Sequence, residues 1–437
     1  MPLTKTNDRS LTLLDCVGIG INGIIGSGIF LLPARVYAEA GGLSWAAWFA
    51  VGAVCLLVGL CFGEVASMTS RNGGPYAYAR DAFGEPIGFA VGWMSLASTL
   101  LAFGAVARAL GRNLSYLVPA LSSDGMQAAL ACAVIAALAA LNWRGIKLGA
   151  IVSNVFSAAK LLPIFLFLGV GLFAVKWGNL AVPPPAGRGT LQALQLGGLA
   201  GLFACTGFEY VPVPAGETKN PQRAVPLALL GSLFGAMFLY ALVQVVVVGT
   251  HPDLLHADKP LAEAAAAFSG PWAARIITIG AVISSFGFCC GVAIVGPRYL
   301  SAFAEDRVLP GALDKRHAKF NTPMLSIIVV AIVSAAFACM LDFDRLSDIS
   351  NVALFCQYVP TCIGVIVLRR KKPDEPRYFR LPFGPVIPIL GALGCVLFLY
   401  GTKTADVLFS AYILFGGLAL YLGRKLYLRA VPRVDPG

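Results

Sequence analysis

The sequence predicts an all-α membrane protein of about twelve transmembrane helices. Three observations lead there. Hydrophobic residues make up 58% of the 437-residue chain and charged residues only 13%, where a soluble protein of this size carries about 25% charged residues. The apolar residues fall into runs of about 20, the length that spans a bilayer core. The short breaks between runs collect the basic residues that make up the net charge of +11. Such an excess on a polar face would suggest nucleic acid; confined to turns between apolar runs, it is topology information and excludes a nucleic-acid partner.

The runs place spans near 12–36, 43–69, 85–108, 126–142, 149–175, 192–214, 225–249, 272–304, 323–341, 347–368, 385–401 and 405–423. Two of them, 126–142 and 385–401, are short. No cleavage site follows the first run, so it is expected to remain as a helix. No soluble stretch is long enough for a core of its own, so residues 1–437 read as one membrane domain. If the N-terminus is cytoplasmic, 23 of the 33 Lys and Arg residues fall on that side. The bias holds from loop to loop, which predicts an even number of spans with both termini cytoplasmic. The expected location is the plasma (inner) membrane. All 11 cysteines lie in or beside apolar runs without metal-binding spacing, and read as small packing residues rather than a disulfide framework.

Spans 1 and 6 are interrupted. Span 1 reads Gly18-Ile19-Gly20-Ile21-Asn22-Gly23-Ile24-Ile25-Gly26-Ser27-Gly28-Ile29-Phe30, with Pro33 following; span 6 reads Phe203-Ala204-Cys205-Thr206-Gly207-Phe208-Glu209-Tyr210, with Pro212 and Pro214 following. Gly and Pro at this density weaken a helix. Backbone groups freed in lipid cost several kcal/mol each unless a cavity or ligand satisfies them. Close helix packing explains one glycine-rich helix. Two breaks about 180 residues apart, one carrying a Glu, fit better a binding site at the midplane between two repeats.

At these residues the chain resembles the amino acid–polyamine–organocation superfamily of transporters. The resemblance rests on Gly26-Ser27-Gly28-Ile29-Phe30; on Gly73-Gly74-Pro75-Tyr76 with Phe83-Gly84; on Gly207-Phe208-Glu209, Gly216-Glu217-Thr218-Lys219-Asn220-Pro221 and Arg223-Ala224-Val225-Pro226; and on Phe379-Arg380-Leu381-Pro382. These motifs run in family order over nearly the whole chain and mark the superfamily, not a substrate. The resemblance implies the LeuT-type fold: a 5+5 inverted repeat (12–175 and 192–368) plus two helices (385–423).

It also implies roles. The substrate carboxylate would lie at the span 1 break, near Gly26 and on the N–H groups of Ser27, Gly28 and Ile29, where a half-helix N-terminus supplies donors and partial positive charge. The amino group would lie on carbonyls of Ile24, Phe203, Ala204 and Thr206, since an ammonium has three donors to share. Phe203 matches an aromatic that closes over substrate. Lys160 lies 11 residues into span 5, about 16 Å along the helix, and an intramembrane Lys is functional by default. In several family members a Lys at this motif replaces sodium. Lys160 would then meet carbonyls near Gly23 or Ile24 and the Ser284-Ser285 region, as a proton-coupling group or a fixed cationic brace. Glu209 reads as a proton acceptor or as a structural hydrogen-bonding group holding the span 6 break. Ser284, Ser285, Ser95, Ser98 and Thr99 would line the side-chain pocket or glue helices together. Glu64 reads as structural, and Arg108, Arg275 and Arg298 as interface anchors.

The expected function is secondary active transport of an L-amino acid, sodium-independent, by exchange or with protons. The alternative is a polyamine or cationic amine carrier. A cation would call for acids or aromatic faces in the pocket, and Glu209 is the one evident acid at depth, which favours a neutral side chain. A membrane-embedded enzyme lacks support, because no His/Asp/Glu cluster or nucleophile–base pair lies at depth. No phosphate-binding loop supports ATP-driven pumping, and no cofactor or metal is expected. Residues 109–131 contain no Cys of the kind that tethers a partner subunit in some family members, so a self-sufficient protein is expected.

Overall fold

The computed structural model describes residues 11–144, 146–251 and 253–430. Lys5, Arg9 and Arg433, which enter the charge count above, lie outside the described residues. Among the described residues there are no strands and sixteen α-helices. Ten helical segments are long and apolar enough to cross a membrane, and two shorter apolar helices accompany them. The protein is thus an all-α membrane protein of roughly twelve spans.

The first span is built from α1 (Leu13–Ile24), α2 (Gly28–Leu31) and α3 (Pro33–Ala40). It is followed by α4 (Ser44–Ala66), α5 (Pro75–Phe83), α6 (Glu85–Leu114), α7 (Asp124–Trp143) and α8 (Ile146–Ala174). The second half begins with α9 (Thr190–Cys205), α10 (Pro221–Thr250), α11 (Pro260–Ser269) and α12 (Pro271–Glu305). It ends with α13 (Met324–Met340), α14 (Phe343–Lys371), α15 (Val386–Tyr400) and α16 (Thr404–Ala430).

Helices α5 and α11 are absent from the hydropathy reading because neither is long or apolar enough to span. Each begins with Pro at its first position, where the missing N–H costs no hydrogen bond. Span 6 differs from the expected 192–214. Helix α9 stops at Cys205, and residues 206–220 continue as short turns until Pro221 opens α10. The expected short span 126–142 is a full helix of 20 residues.

The bundle has a centre and a rim. Across the most apolar stretch of α6, 89% is buried in protein, against 17% in α7 and 22% in α16. Apolar helices exposed on most of their surface belong against lipid. Phe173, Met340 and Tyr412 stand on that rim, at 94%, 75% and 73% exposure. Small polar side chains join the central helices: Ser95 donates to Gln357 at 2.7 Å and Ser98 pairs with Ser350 at 3.1 Å, both between α6 and α14. Ser95 and Ser98 therefore serve helix packing, and Thr99 turns back onto the Ser95 carbonyl at 2.7 Å.

The two ends of the bundle are braced differently. At the basic end Glu64 is fully buried and receives both Arg369 Nε (2.7 Å) and the Leu381 N–H (2.8 Å). Ser67 also donates to the Phe379 carbonyl at 3.2 Å. The Phe379-Arg380-Leu381-Pro382 motif is thus fastened across the ends of α4 and α14. At the opposite end Arg35 of α3 donates to Asp344 (3.1 Å) and Asp348 (2.9 Å) of α14. Arg112 of α6 reaches Asp344 (3.1 Å) and Asp258 (2.6 Å).

Candidate substrate site

Each broken span ends just before a glycine: α1 at Ile24–Ile25 ahead of Gly26, and α9 at Cys205–Thr206 ahead of Gly207. Helix α1 starts cleanly: the Thr12 hydroxyl accepts from Asp15 N (3.3 Å) while Asp15 accepts from Thr12 N (2.8 Å), a reciprocal cap. It closes when Ile25 N donates back to Ile21 O at 2.8 Å, and helical pairing resumes only at Gly28. Helix α9 ends when the Thr206 hydroxyl turns back to the Phe203 carbonyl at 2.8 Å. Gly207 follows with φ of 101°, a conformation that suits Gly because it has no Cβ.

The two breaks touch backbone to backbone. A Cβ placed on Gly23 would lie 2.6 Å from the Gly207 carbonyl oxygen, and one on Gly28 would lie 2.7 Å from Ala204 Cβ. Only hydrogen fits at these crossings. The contact is secured at the basic end, where Leu11 N donates to Glu217 O (3.0 Å) and Lys219 N to Leu11 O (2.8 Å). The glycine-rich motifs gather at the same place: Gly73 N donates to Val213 O at 3.0 Å and Gly216 N to Asn72 Oδ1 at 2.9 Å.

The carbonyls freed by the span 1 break are satisfied by side chains from three other helices. Tyr240 of α10 donates to Ile24 O at 2.8 Å. Ser284 of α12 donates to Ile25 O (3.0 Å) and Gly26 O (2.9 Å). Lys160 of α8, completely buried, donates its ammonium to Ile25 O. Lys160 therefore ties span 5 to span 1 at Ile25 O, the carbonyl that Ser284 of span 8 also reaches, one residue beyond the carbonyls of Gly23 and Ile24 expected for it. Ser285 is turned away and bonds within its own helix, to Ala281 O at 2.8 Å. Adjacent residues on a helix point in different directions, and only one of the two serines can face the break.

The donors are left differently. Among the described residues, the N–H groups of Ser27, Gly28 and Ile29 have no protein acceptor, as expected for the first turn of a helix segment. The Ser27 hydroxyl is fully buried and unpartnered among the described residues. On the span 6 side, Phe203 O is taken by Thr206, while Ala204 O and Thr206 O accept nothing among the described residues; on the span 1 side, Ile24 O accepts from both Tyr240 and Gly26 N (3.0 Å). A carbonyl has two lone pairs, so Phe203 O, Ala204 O and Thr206 O retain capacity, whereas Ile24 O is fully used. Phe203 is 6% exposed and meets the Phe343 ring edge-on at 5.8 Å.

Glu209 lies beneath the break. Its Oε2 accepts from Gly207 N (2.9 Å) and from the Tyr358 hydroxyl (2.8 Å), and its Oε1 has no partner among the described residues. Phe208 stacks on Tyr358 with ring centroids 5.3 Å apart. Glu209 thus holds the turn after α9 and ties it to α14. Tyr358 and Tyr240 were missed as site residues in the sequence, because a single Tyr in an apolar run carries no signal there.

Two cavities flank this centre without coinciding with it. A polar one of about 220 Å³ lies at the opposite end, lined by Arg35, Asp348, Asn351, Lys403 and Asp406. An apolar groove of about 640 Å³ lies between α1, α8 and α10, lined by Ile21, Ile25, Leu161, Phe165 and Leu239; its lining carries no charged side chain and one hydroxyl, that of Ser232. Of the remaining candidates, Glu64 is the basic-end brace. Arg275 is exposed at the start of α12. Arg108 and Arg298 are not open anchors but buried ion-pair partners, of Asp124 and Glu217 respectively.

A family model described as amino acid permease matches residues 11–418. A methylthioribose transporter of Bacillus subtilis is 29% identical, over 96% of this chain and 94% of its own length. The branched-chain amino acid permease BcaP of the same organism is 29% identical, over 95% of this chain and 93% of its own. Its serine/threonine exchanger SteT is 28% identical, over 95% and 97%.

Proposed function

The chain belongs to the amino acid permease family, and on that premise we propose that it carries a neutral L-amino acid across the plasma membrane by alternating access. One observation carries this reading. Two broken spans meet backbone to backbone at Gly23 and Gly207 and bring free N–H donors of one break beside free carbonyls of the other. That is the complement of a zwitterion. The carboxylate lies on the N–H groups of Ser27, Gly28 and Ile29, near Gly26, with the Ser27 hydroxyl as a further donor. The ammonium lies on carbonyls of Ala204, Thr206 and Phe203, and the Phe203 ring covers the site; Ile24 O joins them only by giving up Tyr240 or Gly26 N.

A neutral side chain is favoured because Glu209 is already engaged by Gly207 and Tyr358. A polyamine would lack the carboxylate that the span 1 donors require, and a thio-sugar such as the substrate of one relative would lack both charges. Sodium independence is supported by Lys160: its ammonium sits on Ile25 O, beside the Ser284 hydroxyl that shares it, where a bound cation would otherwise draw on the same oxygens. In the assignment proposed here, residues 12–175 and 192–368 are inverted repeats and 385–423 two added helices. Both termini lie on the cytoplasmic side with the basic loops. Transport needs no tethered subunit and no catalytic step.

Uptake into proteoliposomes tests this. The panel holds branched-chain amino acids, Ser and Thr, basic amino acids, putrescine and methylthioribose. It is run with and without an inward proton gradient, in empty and amino-acid-loaded vesicles, for wild type, Lys160→Ala and Glu209→Gln. Saturable uptake of neutral amino acids is expected, unaffected by sodium. Lys160→Ala is expected to lose most of it, since the Ile25 carbonyl loses a charged donor worth about 1.5–3 kcal/mol. Gln at 209 can still accept from Gly207 and Tyr358; if it keeps exchange but loses stimulation by the gradient, Glu209 carries the coupled proton. Uptake restricted to putrescine or basic amino acids would replace the neutral assignment with the cationic one. Absence of uptake by folded protein would remove it.

A further inference from the structure

We propose that Cys132 and Cys339 form a redox site, a reversible disulfide that joins membrane helices α7 and α13. Their sulfurs lie 3.4 Å apart although the residues are 207 positions apart in sequence. A disulfide bond is about 2.05 Å long, so about 1.4 Å of approach closes it, within the reach of side-chain rotation. The helices carrying them pack against each other along their length.

The pair is also less enclosed by protein than most of the thiols. Eight of the eleven thiols are buried, Cys61 and Cys362 among them, although these two also face each other across α4 and α14. Cys339 is exposed, one residue from the end of α13, and Cys132 is partly exposed in the half of α7 that starts at Asp124. Cys356, the remaining accessible thiol, faces the Val352 carbonyl of its own helix at 3.9 Å and has no thiol partner among the described residues. Both members of the pair lie toward the end opposite the basic loops. With the termini cytoplasmic, this is the external side, where oxidants hold disulfides. Polar groups lie at that end: Arg108 is bonded to Asp124 and has an unpartnered Nε among the described residues.

The chemistry is thiol–disulfide exchange with a disulfide-bearing oxidant. The Cys339 thiolate attacks one oxidant sulfur, forming a mixed disulfide and releasing the other as thiolate. The Cys132 thiolate then attacks Cys339 Sγ and releases the second oxidant sulfur. Two electrons pass from the pair to the oxidant, which leaves as a dithiol carrying the two protons that the pair gives up. The bond fastens a helix of the first half of the chain to a helix of the second. It lies at the rim, away from the broken spans, and leaves the substrate site unaltered.

The test uses full-length protein with a protease site inserted between Ala186 and Gly187, both exposed in the loop between α8 and α9. Membranes are treated with diamide or with reductant, alkylated, cleaved and run without reductant. After diamide the two fragments are expected to stay joined at full-length mass in wild type and Cys356→Ser. They are expected to separate in Cys132→Ser, in Cys339→Ser and after reduction, with uptake preserved in both serine variants. A Cys132–Cys339 linked peptide found by mass spectrometry identifies the bond. Separation of wild-type fragments after diamide, with both thiols alkylated, would overturn the proposal, as would joining that survives either serine substitution. Uptake is read separately, so failure of the transport assignment does not alter this result.

Discussion

At the scale of single residues, the crossing of the two breaks depends on hydrogen standing where a side chain would be. Gly207 combines φ of 101° with direct contact on the Gly23 backbone. Gly207→Ala adds a left-handed penalty of about 1–2 kcal/mol to a clash that only separation of the two spans relieves. Uptake is expected to disappear and the melting temperature in detergent to fall. Gly169→Ala is the control: a Cβ there meets open space, and helix propensity favours Ala, so stability and uptake should hold or rise slightly. Equal loss in both variants would show that the crossing is not the sensitive point. The glycines themselves were legible in sequence. Which carbonyl each polar side chain reaches was not, because Lys160 and Ile25 are 135 positions apart.

At the scale of elements, the segment 372–385 is held by the buried Glu64–Arg369 pair, Arg369 also donating to Leu381 O (3.0 Å) and Gly384 O (2.9 Å). Glu64 accepts from Arg369 and from Leu381 N, with Arg377 3.5 Å away. Arg369→Ala leaves that charge buried without its best partner, a loss of about 3–5 kcal/mol for such pairs. The segment should then be cut by added protease well before wild type is. Lys372→Ala removes only exposed ion pairs to Asp81 and Glu375, worth about 0–1 kcal/mol, and should leave the cleavage rate unchanged. Similar cleavage of both variants would show that the Glu64–Arg369 pair does not hold the segment. The motif containing Phe379 was visible in the sequence, but its role as a strap follows from what it bonds.

At the scale of the whole molecule, the ion pairs of the opposite end join α3, α6, α14 and the segment before α11. Burial opposes ionisation of Asp258, but Arg112 outweighs it and holds the carboxyl below its usual range. A depressed carboxyl stabilises the fold above its unfolded value of about 3.9, and the contribution is lost as pH falls through the lower folded value. The melting temperature of wild type should therefore exceed that of Asp258→Asn at neutral pH, with the gap closing only below about pH 4. A gap that closes between pH 5 and 7 would mean that another group controls this end. Any response of transport to pH near neutrality then has to arise elsewhere.

The sequence by itself determined the membrane class, the approximate number of spans and the positions of both breaks, because these depend on local composition and on the length needed to cross lipid. It also held the family motifs in order. It read the break in span 6 but extended that span to 214, and it missed α5 and α11, because hydropathy registers neither the residue at which a helix stops nor a helix too short to span. Only the tertiary structure decided that Ser284 faces the break while Ser285 does not, that Ser95 and Ser98 join helices, that Arg108 and Arg298 are buried ion-pair partners, and that Cys132 meets Cys339. Each of these depends on the rotation of one packed helix against another. That rotation is set by the fit of many side chains at once, and no single stretch of the chain encodes it.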